Sequence, residues 1–377
     1  MIVHVLNANM YHLSPQIIRG LLTSFKDTID TIVLLEDGVV NRGKYENIFV
    51  EFDFKDFIFT LSDFDIMVKT FQQYKGLPVI FHGGSYERWK AAFDAGCKNV
   101  NWICWGGDAS KSVGRRKTQN FIKKAIGSIY DEWSYRKKKK LYKRFRSIVA
   151  LIEPDRQTIV KDFDVSVDRI EVIPYRYTRK TSYEEITERL YNEGCIKDRC
   201  KPLVLIGNSP MNAPFYMQML KMLKKYSGRI EVHCMYQYSH KEDKNYLKLL
   251  KLGEKYFGHD FFIDEKFLNQ EEYFKYMNLI DVYICSNPEQ TGIGAVNSLL
   301  LLGKKMYLKG KNFEYALGIG CSVHNVKDIL RQDYEDFVKP DSKLIQNQNR
   351  DAIQKMYSQA YDKWSLYFKQ INLVSSK

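Results

Sequence analysis

Residues 286–308, SNPEQTGIGAVNSLLLLGKKMYL, decide the fold predicted for this chain. The stretch follows a short apolar run at residues 281–285, which is typical of a buried parallel strand. Two glycines, Gly292 and Gly294, then precede an apolar segment of helical length at residues 295–302. A strand, a glycine turn and a helix in this order place backbone N–H groups and the positive end of a helix dipole at one point, where a phosphate can bind.

The same pattern has a second interpretation. Glycines also occur where a strand and its helix pack closely, and a lone G-x-G is a weak indication of a ligand. The stretch therefore predicts an α/β element. Donor binding by Glu289, Gln290, Gly292, Ile293 and Gly294 is a hypothesis that the pattern alone leaves open.

Short apolar runs recur along the chain with segments of helical length between them. In the first half they lie at 2–6, 32–36, 48–52, 78–81, 101–105, 147–152 and 170–173, and in the second half at 203–206, 230–236, 261–263, 282–285 and 306–308. Strands that alternate with helices predict parallel sheets covered on both faces. In such sheets, ligands bind beyond the carboxyl ends of the strands.

The length of the chain predicts two such domains. Its 377 residues are 45% hydrophobic, which is more than one core usually holds. The strand pattern stops between the two halves. We therefore expect an N-terminal domain over residues 1–178, a linker over 179–201, a C-terminal domain over 202–355, and a terminal helix over 356–377 that packs back on the N-terminal domain.

Three strand ends carry groups suited to chemistry. His82 opens a His-Gly-Gly turn and could act as a general base or as a donor to an oxyanion; alternatively, it is a turn histidine bonded to a nearby carbonyl. Asp108 follows a Trp-Gly-Gly turn and is either a catalytic carboxylate, the N-cap of the next helix, or both. In the second half, Gly207, Asn208 and Ser209 form a small-residue turn suited to a diphosphate.

Nearly all the excess positive charge lies in one segment. The net charge is +13, and residues 111–146 hold fourteen Lys or Arg against two acidic residues, so the other 44 basic and 43 acidic residues nearly cancel. Apolar residues at helical spacing between the cations favour an amphipathic helix on an anionic membrane surface. A solvated helix face and a nucleic-acid site are the alternatives. The expected membrane patch is Arg115, Arg116, Lys123, Lys124, Lys137, Lys138, Lys139 and Lys140.

Several classes of protein are excluded by what the sequence lacks. No apolar run approaches the roughly 18 to 20 residues that span a bilayer. The N-terminus lacks the basic region and apolar core of a signal peptide, so we expect a cytoplasmic protein. Seven cysteines without a CxxC pair and seven scattered histidines predict neither a disulfide framework nor a zinc site.

The run at residues 267–284, the glycine turn after it and the Leu-Leu-Gly-Lys at 301–304 together resemble the donor-binding half of GT-B glycosyltransferases. In that fold, two Rossmann-like domains face each other across a cleft, so the resemblance implies a GT-B fold of the α/β class. Many GT-B enzymes carry two glutamates eight residues apart at this turn. Here the corresponding positions fall near Gln290 and Ser298, so the second carboxylate of the common retaining subclass is absent.

Further motifs support a narrower resemblance. They are Phe81-His82-Gly83 with Trp89, Trp105-Gly106-x-Asp108, Gly207-Asn208-Ser209, Glu265-Lys266 and Gln290-x-Gly292-Ile293-Gly294, spread from about residue 78 to 310. In this order they resemble glycosyltransferase family 56, the lipid II 4-acetamido-4,6-dideoxygalactosyltransferases of enterobacterial common antigen synthesis. The first 75 residues and the tail match by topology only. The basic segment is heavier here than in the family.

The resemblance implies a transferase that moves a deoxyamino sugar from a dTDP donor, or alternatively a UDP donor, to an undecaprenyl-diphosphate-linked saccharide. Such an enzyme works at the inner face of the bacterial inner membrane and has no nucleic-acid partner. Asp108 is the first candidate for the base and His82 the second. Lys266 is the expected cation beside the leaving diphosphate. Glu289 and Gln290 would bind the sugar, and neither a metal nor another cofactor is expected.

Other activities remain open at this point. A UDP-sugar transferase of capsule or lipopolysaccharide synthesis would share these motifs. A GT-B scaffold that has lost catalysis could bind a nucleotide sugar or a glycolipid. A GT-B sugar-nucleotide epimerase would need no lipid and would leave the basic segment without a role.

Overall fold

The computed structural model describes residues 1–11, 13–109, 132, 135–179, 182–194, 199–207, 213–236, 244–264 and 268–374. The chain divides into two compact units. The first comprises Met1–Arg179 and Tyr357–Lys377, and the second comprises Lys180–Met356. Each unit contains one parallel sheet with helices between its strands, as the alternating pattern of the sequence predicts.

The first unit is built on a seven-stranded parallel sheet. Its strands are β1 (Ile2–Asn7), β2 (Ile29–Glu36), β3 (Phe57–Leu61), β4 (Val79–His82), β5 (Val100–Cys104), β6 (Ser147–Ala150) and β7 (Ile170–Val172). Its helices include Ser14–Phe25, Arg42–Glu51, Phe64–Gln72, Tyr86–Asp94 and Glu153–Phe163. The strand order is β3-β2-β1-β4-β5-β6-β7, so successive strands are added on one side of β1 up to β3 and on its other side from β4 onward. Such a reversal opens a crevice at the carboxyl ends of the two strands.

The second unit is built on a six-stranded sheet of the same kind. Its strands are β8 (Leu203–Ile206), β9 (Glu231–Met235), β10 (Phe261–Asp264), β11 (Val282–Cys285), β12 (Lys305–Leu308) and β13 (His324–Asn325), and its helices include Ser182–Glu193, Ala213–Leu223, Lys244–Phe257, Gln270–Leu279, Ile293–Leu301, Gly310–Gly318 and Tyr334–Val338. The order β10-β9-β8-β11-β12-β13 reverses between β8 and β11. The glycine turn after β11 therefore lies at the reversal point.

Burial on both faces of the first sheet explains its continuous apolar strands. In β2, Val33 and Leu35 belong to one buried cluster, whereas Ile32 and Leu34 belong to another. Because successive side chains of a strand point to opposite faces, both faces of this sheet are covered. Runs such as Ile-Val-Leu-Leu are the expected sequence for such a strand.

The strand predicted at residues 48–52 is wrong. These residues lie mostly in the helix Arg42–Glu51, and the third strand is Phe57–Leu61 instead. Tyr45, Ile48 and Phe49 are the buried residues of that helix. Their i, i+3, i+4 spacing is the periodicity of a helix face, which a count of apolar residues in a short window does not detect.

A single helix, Lys343–Val374, extends from the second unit into the first. In the second unit, the guanidinium of Arg350 donates to the carbonyl of Leu301. In the first unit, Trp364 is fully buried in a cluster with Tyr367 and Phe368, and its indole N–H donates to the carbonyl of Pro174 at 2.9 Å. The helix therefore contributes to the core of the first unit and is hydrogen-bonded within the second.

Candidate functional site

A cleft of about 690 Å³ opens at the carboxyl edge of the first sheet. Its walls include Asn7, Asp37, His82, Arg88, Trp105 and Asp108. These residues lie at or just beyond the carboxyl ends of β1, β2, β4 and β5. The cleft thus brings together the two candidate proton-transfer residues of the sequence, His82 and Asp108, at the reversal point of the sheet.

Asp108 is fixed by hydrogen bonds around the turn that follows β5. One carboxylate oxygen accepts from the backbone N–H of Trp105 at 2.9 Å and from the Cys104 thiol at 3.3 Å, and the other accepts from the Trp102 indole at 2.9 Å. Burial raises the pKa of Asp108 to about 6, although these hydrogen bonds oppose the rise. A carboxylate with this pKa can accept a proton near neutral pH.

His82 is buried, and both of its ring nitrogens have partners in the protein. Its Nε2 lies 2.9 Å from His4 Nδ1, and its Nδ1 lies 2.6 Å from the hydroxyl of Tyr175. Burial lowers the pKa of His82 well below the ordinary range, with a further contribution from His4, so the ring is neutral at physiological pH. To accept a substrate proton, His82 would have to break one of these contacts. The Asp108 oxygen that accepts from the Trp102 indole has a second lone pair, so Asp108 can accept a proton without losing its partners, and the geometry favours Asp108 over His82 as the base.

The glycines after His82 are required for packing. Gly83 has φ +70°, and a Cβ added there would lie 2.9 Å from the ring of Trp105. Gly84 has φ +145°, and its Cβ would lie 2.5 Å from Trp89 Nε1. Because tryptophan rings fill the space above both glycines, this turn does not offer bare backbone to a ligand.

The turn after β11 in the second unit, unlike the turn after β4, has open space beside its second glycine. The helix Ile293–Leu301 begins at Gly292, which is left-handed with φ 57° and supplies no side-chain cap. No acidic residue lies in the first turn, and a Cβ added at Gly294 would meet nothing within 4 Å. The N–H groups at the start of an uncapped helix are donors that an anion can satisfy. This end of the helix is therefore open to a phosphate.

Two residues of the neighbouring strand end adjoin this turn, and the sequence analysis missed both. They are Lys311 and Asn312, in the first turn of the helix Gly310–Gly318 after β12. The Lys311 ammonium lies 3.0 Å from a Glu289 carboxylate oxygen, and the Lys311 side chain is only 12% exposed. The Asn312 side chain donates to the Thr291 carbonyl at 2.7 Å and accepts from its N–H at 3.3 Å. The sequence could have indicated them by position, because both residues follow β12 and the carboxyl ends of β11 and β12 meet at the same edge of a parallel sheet.

The predicted sugar-binding residues differ in environment. Glu289 is exposed, and its ion pair with Lys311 holds it beside the turn. The side-chain carbonyl oxygen of Gln290 is buried and accepts no hydrogen bond from the described residues. A buried acceptor without a donor is costly, so a ligand that donates to it would be stabilised.

The small-residue turn after β8 is only partly described. Gly207 has φ +70°, and a Cβ there would overlap the ring of Tyr216. Its backbone N–H donates to the carbonyl of Ile284 at 2.9 Å, which ties the turn to β11. Three other residues predicted to bind the donor lie outside the described residues, namely Asn208, Ser209 and Lys266.

Half of the predicted membrane patch lies outside the described residues, namely Arg115, Arg116, Lys123 and Lys124. Lys137, Lys138, Lys139 and Lys140 are helical, and Lys137 and Lys140 are exposed. Lys139 lies 3.7 Å from the Asp164 carboxylate. Lys138 is partly buried, which lowers its pKa. In the described part of the chain, no helix has the length and apolar character needed to cross a bilayer.

Two Asp-x-Asp triplets occur, the arrangement by which many nucleotide-sugar enzymes hold a magnesium ion. In the first, Asp63 caps the helix Phe64–Gln72 by accepting from the N–H groups of Asp65 and Ile66. In the second, Asp164 accepts from the Lys143 ammonium at 2.6 Å. Asp63 and Asp164 thus have structural partners, and the described residues include no cluster of three or more His, Cys, Asp or Glu placed to hold a metal ion.

Comparison with known proteins identifies the fold. No protein-family model matches the chain, and a comparison with curated protein sequences gives no match. Among solved structures, HepE from Anabaena in complex with UDP and glucose is similar, with 11% identity, a TM-score of 0.66, and coverage of 98% of this chain and 100% of HepE. A glycosyltransferase from Rickettsia africae is similar with 13% identity, a TM-score of 0.62 and 98% coverage of both chains.

These similarities extend over nearly the whole length of both proteins. Together with the two parallel sheets and their strand orders, they show that this chain has the GT-B fold, with two Rossmann-like domains of seven and six strands. The fold class expected from the sequence is confirmed. At such low identities the comparisons establish the fold alone.

Proposed function

We propose that this GT-B protein is a glycosyltransferase that moves a sugar from a nucleoside diphosphate donor to a hydroxyl group of a saccharide. The observation that carries the proposal is the uncapped helix start at Gly292–Gly294 with Lys311 beside it. Neighbours of this fold include HepE, whose structure contains UDP and glucose. The protein is accordingly assigned to the nucleotide-sugar-dependent hexosyltransferases.

The second unit would bind the donor. The N–H groups at the start of the helix Ile293–Leu301 would hold the diphosphate, and Lys311 would add a positive charge. Negative charge grows on the diphosphate as the bond to the sugar breaks, so donors fixed at this position stabilise the transition state more than the ground state. Glu289 and Gln290 would accept hydrogen bonds from the sugar. This mode of binding requires no metal.

The first unit would bind the acceptor and supply the base. The acceptor oxygen attacks the anomeric carbon, the bond from that carbon to the diphosphate oxygen breaks, and the hydroxyl proton passes to the Asp108 carboxylate. The nucleoside diphosphate leaves with the bonding electrons. The raised pKa of Asp108 suits this step, because a carboxylate with a pKa of about 6 is still mostly ionised near neutral pH and is more basic than an ordinary aspartate.

The motifs quoted from the sequence support a narrower proposal. Their similarity to glycosyltransferase family 56 favours a dTDP-linked 4-acetamido-4,6-dideoxyhexose as donor and an undecaprenyl-diphosphate-linked saccharide as acceptor, in cell-surface polysaccharide synthesis. A UDP-sugar is the alternative donor. The cations of residues 111–146 would hold the protein peripherally on the inner face of the bacterial inner membrane, where the acceptor resides.

A nucleotide screen tests donor binding directly. Thermal unfolding would be followed with dTDP, UDP, GDP, ADP and CMP, each with and without EDTA. A ligand that binds only the folded protein stabilises it by about 2.7 kcal/mol at 100 times its dissociation constant. We expect stabilisation by dTDP or UDP that EDTA does not abolish. A response to none of the five would contradict a nucleotide-sugar enzyme.

A transfer assay with the preferred nucleotide sugar and a lipid-linked acceptor tests catalysis. Release of free nucleoside diphosphate that depends on the acceptor and is lost in Asp108→Asn would support the transferase. Tight nucleotide binding with no turnover of any acceptor would instead favour a scaffold that binds without catalysis.

A further inference from the structure

The donors that hold the Asp108 carboxylate are divided unequally between its two oxygens. Oδ1 accepts from the Trp105 N–H at 2.9 Å and from the Cys104 thiol at 3.3 Å. The thiol sulfur accepts in turn from the Gly106 N–H at 3.4 Å. Within the part of the chain that the structure describes, Oδ2 accepts only from the Trp102 indole, at 2.9 Å. Because a carboxylate oxygen has two lone pairs, both are occupied on Oδ1 and one stays free on Oδ2.

The core fixes the Trp102 side chain independently of Asp108. Trp102 is fully buried on β5. Its ring packs at centroid distances of 5.0, 4.8 and 5.5 Å against the rings of Trp89, Tyr142 and Phe145. Close packing in a protein core restricts a side chain of this size to one rotamer. The indole N–H is therefore aimed at Oδ2 by the aromatic cluster around it.

The other titratable groups around Asp108 do not depend on Trp102 for their charge. Burial raises the pKa of the Cys104 thiol and of the Tyr142 phenol well above their ordinary values, so both are neutral. The Tyr142 hydroxyl also donates to the Asp108 carbonyl at 2.6 Å. Lys138 lies four residues before Tyr142 in the same helix. Burial lowers the pKa of its ammonium, and Asp108 opposes that change.

We propose that Trp102 is a positioning residue for the transfer reaction: its indole holds one lone pair of Asp108 Oδ2, so that the other lone pair of this oxygen takes the acceptor proton. This inference rests on the proposed function in taking Asp108 as the base. The acceptor oxygen bonds to the anomeric carbon, its proton binds Oδ2, and the nucleoside diphosphate leaves with the electrons of the broken bond. All three donors to Asp108 keep their bonds during this step.

The indole also affects how readily Asp108 ionises. A donor to a carboxylate favours the charged form, so the Trp102 N–H opposes the rise in the pKa of Asp108 that burial causes. Removing this N–H should therefore raise the pKa of Asp108 further. It should also leave Oδ2 without the contact that aims it.

A spectroscopic test follows Trp102 itself in the unaltered protein. With isotope-labelled tryptophan, the indole N–H resonance of Trp102 should shift as Asp108 ionises, with a midpoint at about pH 6. Asp108→Asn should abolish this shift. The Trp89 indole donates instead to the Gly83 carbonyl at 3.4 Å, so its resonance should stay constant around this pH. The resonance that disappears in each Trp→Phe variant identifies its residue.

A matched pair of variants separates positioning from packing. Trp102→Phe and Trp89→Phe make the same change at two buried members of one cluster, and only the first removes a donor to Asp108. We expect Trp102→Phe to raise the midpoint of the kcat/KM profile by about one pH unit. Above the midpoint, kcat should fall about tenfold while nucleotide affinity holds. Trp89→Phe should leave the midpoint unchanged. Unfolding temperatures check that both variants fold.

Each other outcome overturns the inference. If the Trp102 resonance does not respond to Asp108, or if both variants move the midpoint alike, Trp102 acts only through packing. If Trp102→Phe weakens nucleotide binding but keeps kcat, it does not aim the base. If the wild type transfers no sugar, the proposed function fails, and the role of Trp102 in transfer fails with it. A wild type that transfers sugar while its Trp102 resonance stays constant contradicts this inference alone.

Discussion

Two glycine-containing strand ends, one in each unit, look alike in sequence and differ in structure. After β4, His82 is followed by Gly83 and Gly84, and the space above both glycines is filled by tryptophan rings. After β11, Gly292 starts a helix, and the space above Gly294 is empty. The turn after β4 needs glycine because a side chain there would collide with the tryptophan rings. The second leaves backbone donors exposed to whatever binds there.

The difference is local and does not follow the division into units. Gly207 lies in the second unit, next to the open turn, yet its missing side chain makes room for Tyr216. A glycine at a strand end therefore indicates a ligand only where no neighbouring side chain occupies the position of its Cβ. The following predictions test this distinction, beginning with the largest expected effect.

Asp108→Asn, at the turn after β5 in the first unit, should abolish most of the transfer activity while leaving the open turn after β11 intact. Loss of a general base lowers the rate of transfer by about 10²- to 10⁴-fold. Nucleotide binding, measured by thermal shift, should not change. A variant that kept near-full transfer activity in a folded protein would remove Asp108 from the mechanism.

The pH dependence of the wild type gives a second check on Asp108. Because the base must be ionised, kcat/KM should rise as the pH passes about 6. Since the pKa is raised above its unfolded value of 3.8, ionisation also costs the folded state stability, so the contribution of Asp108 is present at acid pH and lost as the pH rises through about 6. Both changes should be absent in Asp108→Asn. A pH profile that is flat around 6 would contradict the assignment.

Gly207→Ala should destabilise the protein by about 2 to 5 kcal/mol. The left-handed backbone costs a side chain about 1 to 2 kcal/mol, and overlap with the Tyr216 ring adds about 1 to 3 kcal/mol. Gly228→Ala is the matched control, because Gly228 has φ +75° but nothing within 4 Å of its added Cβ. Chemical denaturation measures both. Equal losses would mean that backbone strain alone explains Gly207 and that the ring is no obstacle.

Lys311→Met should weaken nucleotide binding about tenfold while changing the unfolding free energy little. A hydrogen bond to a charged group contributes roughly 1.5 to 3 kcal/mol, and part of that is shared here with Glu289. Isothermal titration with the preferred nucleoside diphosphate measures the change. Glu289→Gln is the control, because it removes the ion pair but keeps the ammonium, so the affinity for the nucleoside diphosphate should hold or rise.

Gly294→Ala should have the smallest effect, and it should act in opposite directions on stability and binding. Alanine in a helix is more favourable than glycine by about 0.5 to 1 kcal/mol, and the added methyl group meets nothing in the protein. It would, however, stand where the diphosphate approaches, so nucleotide affinity should fall a few-fold. Unchanged affinity would show that the open space is not used.

Much of the fold could be predicted because apolar runs and turns are local signals. Eleven of the thirteen described strands and the turn at Gly292 follow from sequence patterns that extend over a few residues, whereas Phe57–Leu61 and His324–Asn325 were not predicted as strands. Residues 48–52 show the limit of such patterns. A short apolar run suits a strand or a helix face, and only the partners of Tyr45 and Ile48 decide between them.

The sites were less predictable because their properties depend on residues distant in sequence. His4 lies 78 residues from His82, and their contact explains why the His82 ring is already engaged. Lys311 and Asn312 reach the Gly292 turn only because β11 and β12 are neighbours in the sheet. Nothing in the sequence around Gly84 indicates that an indole occupies the space beside it. Such contacts can be identified only when the strand order and register of the sheets are known.

The helix Lys343–Val374 has a consequence for the order in which the protein is made. A ribosome completes the seven strands of the first unit by residue 172 and then synthesises the whole second unit before reaching Trp364 and Phe368. Both residues are buried in the core of the first unit against Phe25 and Tyr177. The unit that emerges first is therefore the last to be finished. Until translation reaches Trp364 and Phe368, the nascent chain keeps an apolar face of that unit open.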